Sequence, residues 1–297
     1  MRPAFLPILL LPLCASGADS PAGQVRALKD VEREAGIQPT GNFARTDARV
    51  AAYYRCYYTG KLELPRSYDE LKLRQGTKNG CSLDAKKVDI FFYPVEAVAS
   101  GHAPITQSLA QAPPERVATV VPHEDFHQQI RDLPGSIAEA AATLVGFLTG
   151  AAADSSLSRE AQLFLQKALI VNRYYDRLDA VYRAARGHRL SERLTLAEKQ
   201  RLLSALLEEC TAIQPAPRSF HRCVSASNNA GLAFDYTYTR YYPLLYQVWS
   251  ACGQDLKCTI AAIAHAPRKR PEAEVIGYFR VFLADRSACV LARSCVS

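Results

Sequence analysis

The chain is expected to fold as a mostly α-helical α+β protein, with a small β-sheet next to a helical body that carries the functional residues. Three observations predict this. Two runs rich in β-branched and aromatic residues, Val88 to Val95 and Arg116 to Val121, lie close together in the first half of the chain. From Pro122 onward the apolar residues recur at helical spacing. The 297 residues are 48% hydrophobic and 22% charged, an ordinary globular balance in a chain long enough to bury a sizeable core.

The N-terminus has the pattern of an export signal. Arg2 precedes an apolar stretch from Phe5 to Leu13, which is too short to span a bilayer, and Ser16-Gly17-Ala18 offers small residues for cleavage. Residues 1–18 are therefore read as a signal peptide and 19–297 as a single domain, periplasmic or secreted. Cys14 would allow a lipid anchor instead, but the bulky Leu13 before it disfavours that reading.

Residues 19–121 are expected to form a mixed helix and strand part. Residues 24–80 look mostly helical: Thr46 can cap a helix through Tyr58, with Val50, Tyr53, Tyr54 and Tyr57 at helical spacing. Gly76, Asn79 and Gly80 break the chain before the first strand-like run, and a Gly/Pro/Ala-rich connection, Ser100 to Pro114, precedes the second. Pro122 is expected to end that second strand.

Residues 122–297 are expected to be helical. Leu133-Pro134-Gly135 reads as a turn, and Ser136 can cap the helix after it. Ala140 to Ala153 is strongly apolar yet too short for a membrane span, so it reads as a buried core helix. Ser158 to Arg186 is a long amphipathic segment closed by Gly187, and Thr195 with Glu198 has the form of a capping box. Further helices are expected over Ser227 to Ser250, Asp255 to His265 and Pro271 to Asp285.

Cysteine usage agrees with export. With Cys14 set aside, the remaining cysteines fall into four near-neighbour pairs: Cys56–Cys81, Cys210–Cys223, Cys252–Cys258 and Cys289–Cys295. No CxxC pair supports a cysteine metal site. The formal charge of +7 is scattered, and the one tight basic run, Arg268 to Arg270, sits between prolines as a solvated linker, so no nucleic-acid partner is expected. No G-x-S-x-G, P-loop or G-x-G-x-x-G occurs.

The chemistry lies in His123-Glu124-Asp125-Phe126-His127. Two histidines four apart on a helix share one face and can reach one tetrahedral metal ion. Glu124 is turned away from them and can act as the base for a water molecule without ligating the metal. Asp125 points off that face. A catalytic site needs a third protein ligand. Glu139, among Ala138, Ala140, Ala141 and Ala142, is the candidate, because an unpaired carboxylate is costly to bury there. An exposed glutamate favoured by the helix N-terminus is the alternative.

The string HEDFHQQIRDLPGSIAEAAATLVGFL resembles the active-site segment of the bacterial putative aminopeptidases, a gluzincin-like group. The later NNAGLAFDYTYTRYYPLLYQVW, followed by Cys252-Gly253-Gln254-Asp255, resembles their second shared block. The resemblance implies Zn2+ held by His123, His127 and Glu139, Glu124 as general base, and a peptide substrate. No acid follows Glu139 by three or four residues to orient a ligand histidine, and Thr143 is the only stand-in. For the tetrahedral oxyanion, the tyrosine-rich stretch Asp235 to Tyr242 is the place to look, with Tyr238 nominated there. Asn228 and Asn229 fit a helix start as well as substrate binding. Two other readings share the motif: a zinc endopeptidase with an open cleft, and a non-catalytic protein whose zinc is structural.

Overall fold

The computed structural model describes residues 21–98, 100–222 and 227–285. The signal peptide expected over residues 1–18, with Cys14, lies outside the described residues, as do Cys223, Cys289 and Cys295. The architecture is α+β and mostly helical. In chain order the elements are α1 (Pro21–Ala35), β1 (Tyr53–Gly60), β2 (Lys72–Gln75), β3 (Val88–Val95), α2 (Gln107–Ala110), α3 (Pro114–Ile130), α4 (Gly135–Ala153), α5 (Glu160–Arg186), α6 (Glu192–Thr211), α7 (Asn229–Thr239), α8 (Tyr242–Ala251), α9 (Leu256–Ala264) and α10 (Glu272–Ala284).

The sheet is antiparallel, in the order β2-β1-β3. Its central strand replaces the helix expected from Thr46 to Tyr58. The run Tyr-Tyr-Arg-Cys-Tyr-Tyr is aromatic and strand-favouring, and both of its faces find cover. Cys56 pairs across to Phe92 and is bonded to Cys81, while Tyr57 pairs to Phe91 and packs on Phe234 of α7. The helical spacing of Val50, Tyr53 and Tyr57 is therefore coincidental. Of residues 24–80, only α1 and one short 3-10 turn, Tyr68–Glu70, are helical.

The second expected strand is also corrected: Arg116 to Val121 lies inside α3. Pro114 opens that helix and Glu115 stands in its first turn, both good helix starters. Val117, Ala118, Val120 and Val121 are all buried. That burial on several sides, rather than strand pairing, explains the apolar run. Pro122 does not end a strand. It sits mid-helix, and the HEDFH segment occupies the second half of α3, not its start.

Helix α4 is the centre of the molecule. Ala140, Ala141, Ala142, Leu144 and Val145 are fully buried in a core shared with α5, α8, α9 and α10. By length and composition α4 could cross a membrane, but it is packed inside the protein. A second cluster joins α1 to the first half of α3, a third joins α5, α6 and α7, and a fourth seats the sheet on α7.

Two cap expectations and one helix boundary change. The residue preceding α4 is Pro134, and Ser136 is buried inside the first turn. The N-cap of α6 is Ser191, whose hydroxyl accepts from the Leu194 amide, while Thr195 donates to the Ser191 carbonyl and Glu198 pairs with Arg201. The helix expected over Ser227 to Ser250 divides at Arg240–Tyr241, because Pro243 in the first turn of α8 cannot continue α7. The disulfides Cys56–Cys81 and Cys252–Cys258 are present, and Cys210 is also disulfide-bonded.

Candidate active site

The α3–α4 pair sets the geometry. Glycines on α4 let it approach α3 unusually closely. A Cβ on Gly146 would lie 2.6 Å from the Thr119 carbonyl oxygen and 3.2 Å from the His123 Cβ. One on Gly150 would lie 2.9 Å from the carbonyl oxygen of Ala118, the acceptor that Pro122, lacking an N–H, leaves without its helical donor. Glu139, Thr143, Gly146 and Gly150 follow each other at helical spacing, so one stripe of α4 lies against the histidine helix.

At the N-terminal end of that stripe three donor atoms converge. His123 Nε2 lies 3.1 Å from His127 Nε2, and Glu139 Oε2 lies 3.4 Å and 3.3 Å from those two nitrogens. A triangle with these edges is one face of a tetrahedron whose centre is about 2 Å from each corner, the bond length of zinc to imidazole and carboxylate. Two imidazoles and one carboxylate in the wall of a cavity could hold a metal ion, and their spacing fits a zinc-sized cation.

Neighbouring side chains stand beside two of the three groups. Thr143 Oγ1 stands 3.5 Å from His123 Nδ1. The Tyr68 hydroxyl donates to Glu139 Oε1 at 2.6 Å. Burial pushes the Glu139 carboxyl up, but the His127 charge and hydrogen bonds from both imidazoles outweigh it and hold the group well below the usual carboxylate range. Burial pushes His127 down, and the facing Glu139 carboxylate more than reverses this, raising it to about 8. Glu124 lies beside the triangle with no hydrogen-bond partner among the described residues. Burial raises its carboxyl pKa, and the neighbouring imidazoles partly offset that.

Tyr238 comes from α7 and places its ring 6.3 Å from that of His123. Its hydroxyl has no hydrogen-bond partner among the described residues, and burial pushes its pKa well up, so it stays a proton donor. Asn228 is the N-cap of α7, and Asn229 is buried, bonded to Tyr182, Lys61 and Glu63. Both are structural. Asp125 faces away from the triangle into a buried cluster with Lys29, Thr40 and Asn42, and so ties α3 to the N-terminal segment.

The sequence reading missed Tyr68. It lies 71 residues before Glu139, in a stretch read as helical, and no motif marks it.

A family model described as Putative aminopeptidase matches residues 75–274. The chain belongs to the putative aminopeptidase family. No curated protein and no solved structure matches it. The matched stretch of this aminopeptidase-family chain runs from the end of β2 into α10 and includes both histidines, Glu124, Glu139 and Tyr238, but not Tyr68. Membership points to peptidase activity and a peptide substrate.

Proposed function

We propose that this protein is an exported zinc-dependent aminopeptidase. The observation that carries the reading is the triangle of His123, His127 and Glu139 with Glu124 unpartnered at its side. A zinc ion held there would supply Lewis acidity for a carbonyl oxygen and for a water molecule. Glu124 takes the proton from that water and delivers it to the leaving amine; its raised pKa brings it closer to the range where it can both accept and release a proton. Tyr238, with its hydroxyl uncommitted, donates to the developing oxyanion. Tyr68 is committed to Glu139 and serves to orient that ligand. Two disulfides are compatible with an oxidising compartment, which supports the export reading.

The test compares Glu124→Gln with the wild type. The variant should bind about one zinc per chain, as one ligand set allows, and lose peptidase activity by at least about a thousandfold. Retention of activity would remove Glu124 as the base. Free and N-blocked peptides then separate the aminopeptidase from an endopeptidase: an aminopeptidase cleaves only the free set.

A further inference from the structure

Beside His123 and Glu124 the protein encloses a cavity of about 160 Å³. Its walls carry seven phenylalanine and tyrosine rings: Phe91 and Tyr93 of β3, Phe147 of α4, Phe164 of α5, Phe220, and Phe234 and Tyr238 of α7. Several already stack on one another, with Phe91–Phe234 centroids at 4.7 Å and Phe147–Phe220 at 5.4 Å, spacings at which edge-to-face contact is favourable. An apolar cavity of about 150 Å³ is enough to take up one benzene ring.

Apart from Glu124, the acidic and basic side chains in the same wall are held in pairs. Lys167 Nζ lies 2.9 Å from an Asp235 carboxylate oxygen and 3.1 Å from the His221 carbonyl. Arg116 bonds Glu96 at 2.8 Å, the Tyr93 hydroxyl at 3.0 Å and the Ser219 carbonyl at 3.2 Å. A charged side chain entering the cavity would lose its hydration, and the paired charges of the wall leave it only Glu124, which the reading above assigns to the water. A neutral ring would meet mostly rings and aliphatic groups. An adjoining cavity of about 360 Å³ shares His123, Glu124 and Tyr238 with it and is also lined by Arg55, Gln128 and Arg131, groups suited to a peptide backbone. The scissile bond belongs at the junction of the two.

We infer that the aromatic cavity is the specificity pocket of this site and receives a large neutral side chain, best an aromatic one, from the N-terminal residue of the substrate. The inference rests on the peptidase reading above. Discrimination comes from cavity shape and from the largely apolar, aromatic wall.

Two measurements test it and separate its failure from that of the peptidase reading. The first is a panel of aminoacyl anilides with phenylalanine, leucine, alanine, lysine or glutamate at the N-terminus. Phenylalanine should exceed alanine by at least about tenfold in kcat/KM, with lysine and glutamate lowest. Val120 lines the cavity, and Val120→Phe should lower the phenylalanine substrate by at least about tenfold while the alanine substrate keeps its rate within about threefold. Phe220→Ala, on the half-buried connection before α7, should instead improve a naphthylalanine substrate. The second measurement is calorimetric binding of L-phenylalaninol and L-alaninol, which cannot be hydrolysed. No cleavage of any anilide together with a clear phenylalaninol preference would remove the peptidase reading and leave the pocket standing. Equal binding of the two alcohols, or a panel led by lysine, glutamate or alanine, would overturn the pocket.

Discussion

Tyr68 and Glu139 form one unit: the phenol donates to Oε1 at 2.6 Å, and Oε2 alone faces the two imidazoles. The hydrogen bond fixes which edge of the carboxylate is offered to a cation. Burial, followed by the Glu139 charge, holds the Tyr68 phenol far above its ordinary pKa, so it remains a donor. The phenol bond ties the turn before β2 to α4, and the Tyr68 amide, which donates to Thr237 Oγ1 at 2.8 Å, ties it to α7.

Removing that hydroxyl should loosen the ligand without deleting it. Tyr68→Phe is expected to weaken zinc binding by about 10–100-fold, the usual cost of losing a group that orients a ligand. Glu139→Ala should weaken it by several orders of magnitude more, and Asp132→Ala not at all. Competition titration with a chelating dye reads all three. Wild-type affinity in Tyr68→Phe would mean that the bond does not position Glu139.

The parts of the site visible in the sequence were local. His123, Glu124 and His127 follow from one turn of helix, and Glu139 from the Pro134-Gly135 turn that folds α4 back on α3. Residues brought in by topology left no such mark. Tyr68 reaches the site only because β1 is a strand, and periodicity misread that segment: three tyrosines at helical spacing also fit a strand whose two faces are both covered. The same ambiguity turned the buried start of α3 into an expected strand, because a helix packed on several sides loses the polar stripe that would identify it. The short disulfides were legible because near neighbours close loops most readily.

The close approach of α3 and α4 should be intolerant of a single methyl group. Gly146→Ala would set a Cβ 2.6 Å from backbone at Thr119 and against His123, so the helices must separate. The expected cost is about 1–3 kcal/mol, with a measurable loss of zinc affinity because His123 moves away from Glu139. Gly277→Ala, on α10 with open space around it, is the control and should change neither. Equal melting curves and zinc affinities for both variants would refute the tight packing.

The disulfides are expected to support stability and not chemistry. Cys56 lies on the central strand, and Cys252 and Cys258 join the C-terminus of α8 to the first turn of α9, all buried. Opening the Cys56–Cys81 bridge should cost about 2–4 kcal/mol. Non-reducing peptide mapping should recover both pairs, and Cys56→Ser/Cys81→Ser should melt earlier while keeping zinc. Free thiols at all four positions in the protein isolated without reductant would contradict the assignment.

Glu32 gives the protein a defined pH dependence. It is 4% exposed on α1, and its Oε1 has no hydrogen-bond partner among the described residues. Two charged groups face it. Asp125 repels its ionised form, and Lys29 lies 3.7 Å away but is bonded more closely to Asp125, which Thr40 and Asn42 also hold. Burial, then Asp125, raises the Glu32 carboxyl from 4.5 to about 9, so the folded protein keeps it neutral where the unfolded chain ionises it. A group with a raised folded-state pKa contributes its full stability below the unfolded value and loses it as pH rises through the folded one. The window is therefore pH 4.5 to about 9, with a slope of up to about 1.4 kcal/mol per pH unit for one proton. Glu32→Gln keeps the shape and removes the titration. Urea denaturation at about pH 5 and about pH 8.5 should show the wild type losing more stability than the variant across that interval, with the variant the more stable of the two at the higher pH. Parallel stability profiles for the two proteins would show that Glu32 is ionised in the fold and that Lys29, not a proton, neutralises it.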